Sequence, residues 1–249
     1  MKKILTYLSQ EEMISSAAAQ FISIGLAAIQ DRGQFSVTLS GGNTPKPLYE
    51  ILANPDADLL DWDMVHFFWG DERCVPQNHP DSNYNQANQV LLSPRSIKDE
   101  NIHRIKAELQ PKETARQYQE EILSYFHGNI PRFDLVLLGM GSDGHTASLF
   151  PGSELVVGNH PNEDCLVASN WVPKSNAWRI TFTPHLINAA HNVFFLVSGH
   201  NKANTLKLVL EGPSTPEHFP SQLIAPDQGN LFWHVDQEAA AELSDMSLD

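Results

Sequence analysis

The sequence predicts an α/β fold, a mostly parallel sheet with helices on both faces. Three observations carry that expectation. Short strand-like runs recur at Phe35–Leu39, Val65–Trp69, Phe133–Leu138 and Val193–Val197, the last three mostly apolar throughout, as strands buried on both faces require. Segments with helical spacing separate them. Glycine-rich loops follow two of the strands directly, at Ser40-Gly41-Gly42 and at Gly139-Met140-Gly141. Strand and helix in alternation point to a parallel sheet, because parallel neighbours need a crossover between them.

The elements follow in order. Met1 to Leu8 is basic, but its apolar stretch is too short for the core of a signal peptide, and Glu11 and Glu12 come next. Glu11–Gln30 carries Met13, Ala17, Phe21, Ile24 and Ala28 at near-helical spacing, with Gly33 placed as a C-cap. After the strand Phe35–Leu39, Thr44 reads as an N-cap with Pro45 at the first helical position, opening a helix to Ala53. Val65–Trp69 is the next strand, and residues 76–83 are a proline-bearing loop. Helices are expected over Tyr84–Leu92 and Lys112–Phe126. Phe133–Leu138 is the third strand, followed by shorter candidates at Leu166–Ser169 and Ile180–Thr183. Val193–Val197 is a strong strand, Lys202–Leu210 a helix ended by Gly212-Pro213, and Asp236–Leu243 a last short helix. Residues 152–163 read as a long loop. With no repeat and no convincing linker, residues 1–249 read as one domain, a length that supports one large core.

Composition narrows the function. The net charge of −14 argues against nucleic acid and anionic membrane as partners, and no run of about 18 apolar residues suggests a membrane span. Two cysteines are too few for a disulfide framework, so a reducing cytoplasm is the expected compartment. The expected assembly is a monomer or a weak homo-oligomer. An acidic chain can still bind a small anion if a few of its 16 lysines and arginines gather in one pocket. The basic residues beside glycine-rich loops are the candidates.

The most informative stretch is Gly139 to Gly152. Its glycines allow a tight loop at a strand's C-terminal end, where open α/β sheets bind ligands. His145 sits in that loop, well placed for proton transfer near neutral pH. Its bland role would be to brace the loop by bonding backbone. Asp143, two residues earlier, either fixes the imidazole tautomer or makes an Asx-turn. Arg73 closes Trp69-Gly70-Asp71-Glu72-Arg73 and suits bidentate binding of a phosphate or carboxylate; a solvated charge cluster is the alternative. Asp71 and Glu72 either position that arginine or lie outside the pocket. Lys202, at the start of a helix, makes a second anion candidate, and Arg179 a weaker third.

Three other chemistries find little support. Gly139, Gly141 and Gly144 match Gly-x-Gly-x-x-Gly with Asp164 twenty residues on, but Pro151 would cut the following helix short. Ser142 lacks the glycine that a nucleophile elbow needs before it. Neither His-Glu-x-x-His nor Cys-x-x-Cys occurs, so no metal is expected.

Taken together the chain resembles the 6-phosphogluconolactonase family. The resemblance rests on Leu39–Pro45, Trp69–Pro76, Asp81–Tyr84, Leu138–Gly152, Arg179–Thr183 and Gly199–Ala203, with Pro220–Leu223 and Trp233–Asp236 near the end. Asn43 stands where the family usually has serine. The resemblance implies a Rossmann-like fold shared with glucosamine-6-phosphate deaminases and ribose-5-phosphate isomerases. It also implies hydrolysis of 6-phospho-D-glucono-1,5-lactone in the oxidative pentose phosphate pathway, without a cofactor. On that reading His145 activates water, and Gly41, Gly42 or Asn43 stabilise the oxyanion. Arg73, Arg179 and Lys202 grip the 6-phosphate, while Ser40 and Thr44 add hydroxyl contacts. The alternatives are an isomerase or deaminase on the same scaffold, or a non-catalytic sugar-phosphate sensor.

Overall fold

The computed structural model describes residues 1–55, 59–157 and 164–244. Nine strands form two sheets. The strands are β1 (Lys2–Tyr7), β2 (Phe35–Leu39), β3 (Val65–Trp69), β4 (Asp71–Arg73), β5 (Leu135–Gly139), β6 (Val167–Val172), β7 (Ala177–Phe182), β8 (Asn192–Val197) and β9 (Asn230–Asp236). The larger sheet has the order β1-β9-β8-β5-β2-β3, and all its pairs are parallel. The smaller sheet, β4-β7-β6, is antiparallel. The expected mostly parallel sheet is therefore present, and the antiparallel one is an addition to it.

The central strands are apolar because both their faces are covered. Every residue of β2 is buried, as are Leu135–Leu138 of β5 and Val193–Val197 of β8. The covering helices are α1 (Gln10–Arg32), α2 (Lys46–Ala53), α3 (Asn83–Ala87), α4 (Pro111–Tyr125), α5 (Pro184–Asn188) and α6 (Ala203–Glu211). Helix α1 starts where Ser9 accepts from the Glu12 amide and ends at Gly33 in the left-handed region, φ 79°. It buries Met13, Ile14, Ala17, Phe21 and Ala28. By length and by the mean hydropathy of an 18-residue window, α1 could cross a membrane. The sequence reading found no such run because Ser15, Ser16, Gln20 and Ser23 interrupt it. Here α1 serves as a core helix, its apolar face against β1, β2 and β9.

Several boundaries differ from expectation for identifiable reasons. Helix α2 begins at Lys46 with Pro45 as its N-cap, and Thr44 makes no capping bond; Thr44 belongs to the loop instead. The Tyr84–Leu92 helix is α3 followed by a wider π turn over Asn88–Leu92. The expected helix at Asp236–Leu243 is absent. Asp236 ends β9, and its carboxylate takes the Ala239 amide at 2.8 Å. That bond is an N-cap, and Ala240 N donates to Asp236 O at 2.9 Å in a helical step, but the turn goes no further: Leu243 N bonds Ala240 O at 2.9 Å in a tighter one. Strands β1 and β9 are visible only in the structure; β1 lies at the sheet edge and pairs with β9 alone. Part of the loop read at 152–163 lies outside the described residues.

One buried group ties pH to stability. His234 on β9 is fully buried beside Phe194 and Phe232, with Nδ1 3.0 Å from the Tyr7 hydroxyl. Its Nε2 has no partner among the described residues, and burial pushes its pKa down to about 4. The folded state therefore holds this imidazole neutral, while the unfolded chain protonates it near its ordinary value of about 6.5. Stability is full above pH 6.5 and falls as pH drops toward 4, because there the unfolded state binds the extra proton. The expected loss is up to about 3 kcal/mol. Urea unfolding at pH 7 and pH 4.5 should reveal it, and His234→Gln should flatten that difference.

Candidate active site

Strands β2, β5 and β8 are neighbours or next neighbours in one parallel sheet, so their C-terminal loops emerge at one edge. Strand β2 leads outward to β3 while β5 leads the other way to β8. The β2–β5 gap is thus a switch point of the kind where α/β sheets bind ligands. The small sheet closes this edge from one side. Gly70 joins the two sheets: its amide donates to Leu39 O at 3.2 Å and its carbonyl accepts from Phe182 N at 2.8 Å.

The result is an open cleft of about 460 Å³. It is lined by Ser40, Gly41, Gly42, Asn43 and Thr44 from the first loop, by Arg73 and Arg179 from the small sheet, and by His145 and Lys202. Every candidate from the sequence lines it except Asp143, which stands behind His145.

The imidazole is set from several directions. His145 Nδ1 lies 2.5 Å from Asp143 Oδ1, and the His145 amide reaches the same oxygen at 3.3 Å. The carboxylate thus accepts the Nδ1 proton, leaving the other ring nitrogen as a lone-pair acceptor. Nε2 has no partner among the described residues. The bond from His145 holds the Asp143 carboxyl well below the usual carboxylate range. Phe150 stacks on the imidazole at 4.2 Å between centroids. The loop beneath is pinned too: Ser221 donates to Gly144 O through both Oγ (2.8 Å) and its amide (2.9 Å), and Thr205 Oγ1 donates to Ser142 O at 2.7 Å. Residues 145–157 after the loop form no α-helix, so Gly139, Gly141 and Gly144 do not open a dinucleotide-binding helix.

The cations come from paired strands. Arg73 and Arg179 face each other in register across β4 and β7. Arg73 donates to Asp81 O at 2.7 Å, yet neither guanidinium forms an ion pair with a carboxylate among the described residues. Each leaves its Nε buried and without a hydrogen-bond partner among the described residues. Burial, and then repulsion from Arg73, push the Arg179 pKa down. Lys202 is the N-cap residue of α6 and makes no ion pair among the described residues. Burial lowers its pKa, partly offset by the Asp143 charge. Two like charges side by side and a third cation across the cleft form a site that an anion would relieve.

Strand alternation separates the neighbouring acids. Asp71 shares the face of Arg73 and lines the cleft. Glu72 points away, is 2% exposed, and accepts from Ser82 Oγ and from the amides of Arg73, Asn83 and Tyr84. Burial still raises its pKa against those bonds. Sequence reasoning left both positions open; period-two alternation from Arg73 would have assigned them. It missed Lys174, whose Nζ sits 3.7 Å from Asp143 Oδ2 in the β6–β7 turn. It also missed Asp236, which holds the β8 loop by accepting from Ser198 Oγ and from Gly199 N at 3.1 Å.

Two glycines are required by close approach rather than by turn geometry. A Cβ at Gly141 would fall 2.1 Å from His145 Nδ1 and 2.5 Å from Asp143 Oδ1. A Cβ at Gly41 would fall 1.7 Å from Asn83 Oδ1. Ser40 is fixed at both ends of its peptide: Tyr49 Oη accepts from its amide at 3.0 Å and donates to its carbonyl at 2.7 Å. The Gly42 amide is committed to Gln86 Oε1 at 3.2 Å. Those of Gly41 and Asn43 make no hydrogen bond among the described residues.

Fold and cleft together define an α/β protein with three clustered cations beside a histidine–carboxylate pair. A model of the family described as glucosamine-6-phosphate isomerases/6-phosphogluconolactonase matches residues 8–233, and the chain belongs to that family. It is 43% identical over 221 residues to a 6-phosphogluconolactonase of Synechocystis sp., covering 87% of this chain and 88% of that one. It is 41% identical to a 6-phosphogluconolactonase of Nostoc sp., covering 98% of this chain and 100% of the other. Among solved structures, the 6-phosphogluconolactonase from Trypanosoma cruzi superposes with a TM-score of 0.85 at 31% identity, covering 98% of each chain.

The Gly141 contact yields a direct test. Gly141→Ala is expected to push the imidazole off Asp143 and to abolish the downfield Nδ1–H proton resonance of the pair. Overpacking of this kind costs about 1–3 kcal/mol, so the protein should still fold. An unchanged resonance would show that the loop absorbs the methyl group.

Proposed function

We propose that this chain hydrolyses 6-phospho-D-glucono-1,5-lactone to 6-phosphogluconate, the reaction of the oxidative pentose phosphate pathway, with His145 as general base. The observation that carries the reading is the cleft itself. Three cations without carboxylate partners among the described residues surround a space next to an imidazole whose second nitrogen can accept. Relatives that match nearly end to end bear the name 6-phosphogluconolactonase, which supports bringing that activity here.

The chemistry follows from the parts. His145 Nε2 removes a proton from water as the water oxygen attacks the lactone carbonyl. Asp143 stabilises the imidazolium that forms. The carbonyl oxygen becomes an oxyanion, for which the uncommitted amides of Gly41 and Asn43 are the available donors. Gly42 is the weaker of the three expected donors, since Gln86 already holds its amide. The tetrahedral intermediate collapses with cleavage of the bond to the ring oxygen, and the imidazolium returns its proton to that oxygen. No covalent enzyme intermediate is needed. Arg73, Arg179 and Lys202 hold the 6-phosphate and so fix the lactone carbonyl against the water, with Ser40 and Thr44 lining the same wall. The free, partly buried Cys74 and Cys165 fit the cytoplasmic compartment included in this reading.

The test is the rate of loss of freshly prepared lactone, with spontaneous hydrolysis subtracted. His145→Ala should lower kcat by about a thousandfold, within the usual span for a general base. Lys202→Ala or Arg179→Ala should raise KM by roughly tenfold, as loss of a charged hydrogen bond does, with kcat nearly kept. Wild-type protein that fails to accelerate the loss, while releasing ammonia from glucosamine 6-phosphate, would replace this reading with the deaminase one.

A further inference from the structure

Asp71 is the one carboxylate that lines the cleft among the described residues, and the reaction scheme above makes no use of it. It is 7% exposed. Neutral donors hold it: Ser148 Oγ reaches Oδ2 at 2.7 Å and Asn83 Nδ2 reaches Oδ1 at 3.1 Å. Those donors are themselves buried and fixed. The Ser148 amide donates to Thr181 Oγ1 at 3.1 Å, its carbonyl accepts from Asn170 Nδ2 at 2.8 Å, and Asn83 also donates to the Asp71 carbonyl at 2.9 Å.

A carboxylate offers about four lone-pair positions. Two are filled, and neither Arg73 nor Arg179 forms an ion pair with Asp71, although both belong to the same wall of the cleft. A rigid, acceptor-only group with spare capacity repels a phosphate and attracts hydroxyl donors. Beside Arg73 and Arg179 it adds to that wall an acceptor that a hydroxyl donor could fill.

We propose that Asp71 accepts a hydrogen bond from a ring hydroxyl of the sugar-phosphate lactone and so determines specificity for the hydroxylated ring and its orientation. This inference rests on the lactonase reading. A site built around a substrate hydroxyl rejects an analogue that lacks it, because the buried acceptor is left unpaired.

The experiment pairs the residue with the substrate. Wild type and Asp71→Asn are assayed on 6-phosphogluconolactone and on its 2-, 3- and 4-deoxy analogues. In the wild type, one deoxy analogue should lose at least tenfold in kcat/KM, mostly through KM. On the parent lactone Asp71→Asn should lose a similar factor, and on that one analogue it should lose almost nothing further. Equal losses on all four substrates, or a lower KM on all four from removal of a charge near the phosphate, would overturn the inference. If Asp71→Asn does not fold, the wild-type series still decides: equal turnover of all four lactones means that no hydroxyl is recognised. Wild type inactive on the parent lactone would fail the lactonase reading itself, and this inference with it. Active wild type with an unaffected Asp71→Asn would fail the inference alone.

Discussion

Adjacent parallel strands end at the same edge of a sheet, and the cleft depends on that constraint. The loops after β2, β5 and β8 come from stretches of chain about 60 to 160 residues apart, yet the parallel register delivers them side by side. Reversing β5 would carry the Gly139–His145 loop to the opposite end of the molecule. The antiparallel sheet adds what loops alone would not. Its β4–β7 register sets Arg73 against Arg179, and Gly70 ties that sheet to the C-terminal end of β2.

The electrostatics run against the composition. A chain with 30 acidic and 16 basic residues keeps three cations around one space without carboxylate partners among the described residues. Burial of Arg179 and Lys202, and repulsion of Arg179 by Arg73, oppose this arrangement, as their lowered pKa values record. An anion placed among them would offset both effects. The rigidity of the cleft comes from buried polar ties behind each loop: Tyr49 on Ser40, Ser221 and Thr205 on the histidine loop, and Asp236 on the β8 loop. None of these touches the space where a substrate would lie, and all of them fix the atoms that do.

The site was legible where function and local chain geometry coincide. His145, Asp143, Ser40 and Lys202 could be read because glycine-rich loops and a helix start mark them in the sequence. Asp71 and Glu72 stay open until residues 71–73 are known to form a strand, since only then does alternation from Arg73 assign their sides. The last expected helix stops after one turn: Asp236 caps its start through the Ala239 amide, but the Leu243 amide then bonds Ala240 O in a tighter step.

The sequence by itself determined the fold class, the central strands, the loops that carry chemistry and the family. Hydrophobic burial and glycine placement are local properties and write themselves into short segments. Only the tertiary structure decided the edge strand β1 and its neighbour β9, the facing of Arg73 with Arg179, the commitment of the Gly42 amide, and the place of Asp71 in the cleft. Those features depend on strand register and on partners far along the chain, such as Ser148 for Asp71 and Gln86 for Gly42. Register is settled by the packing of whole faces rather than by any local run of residues.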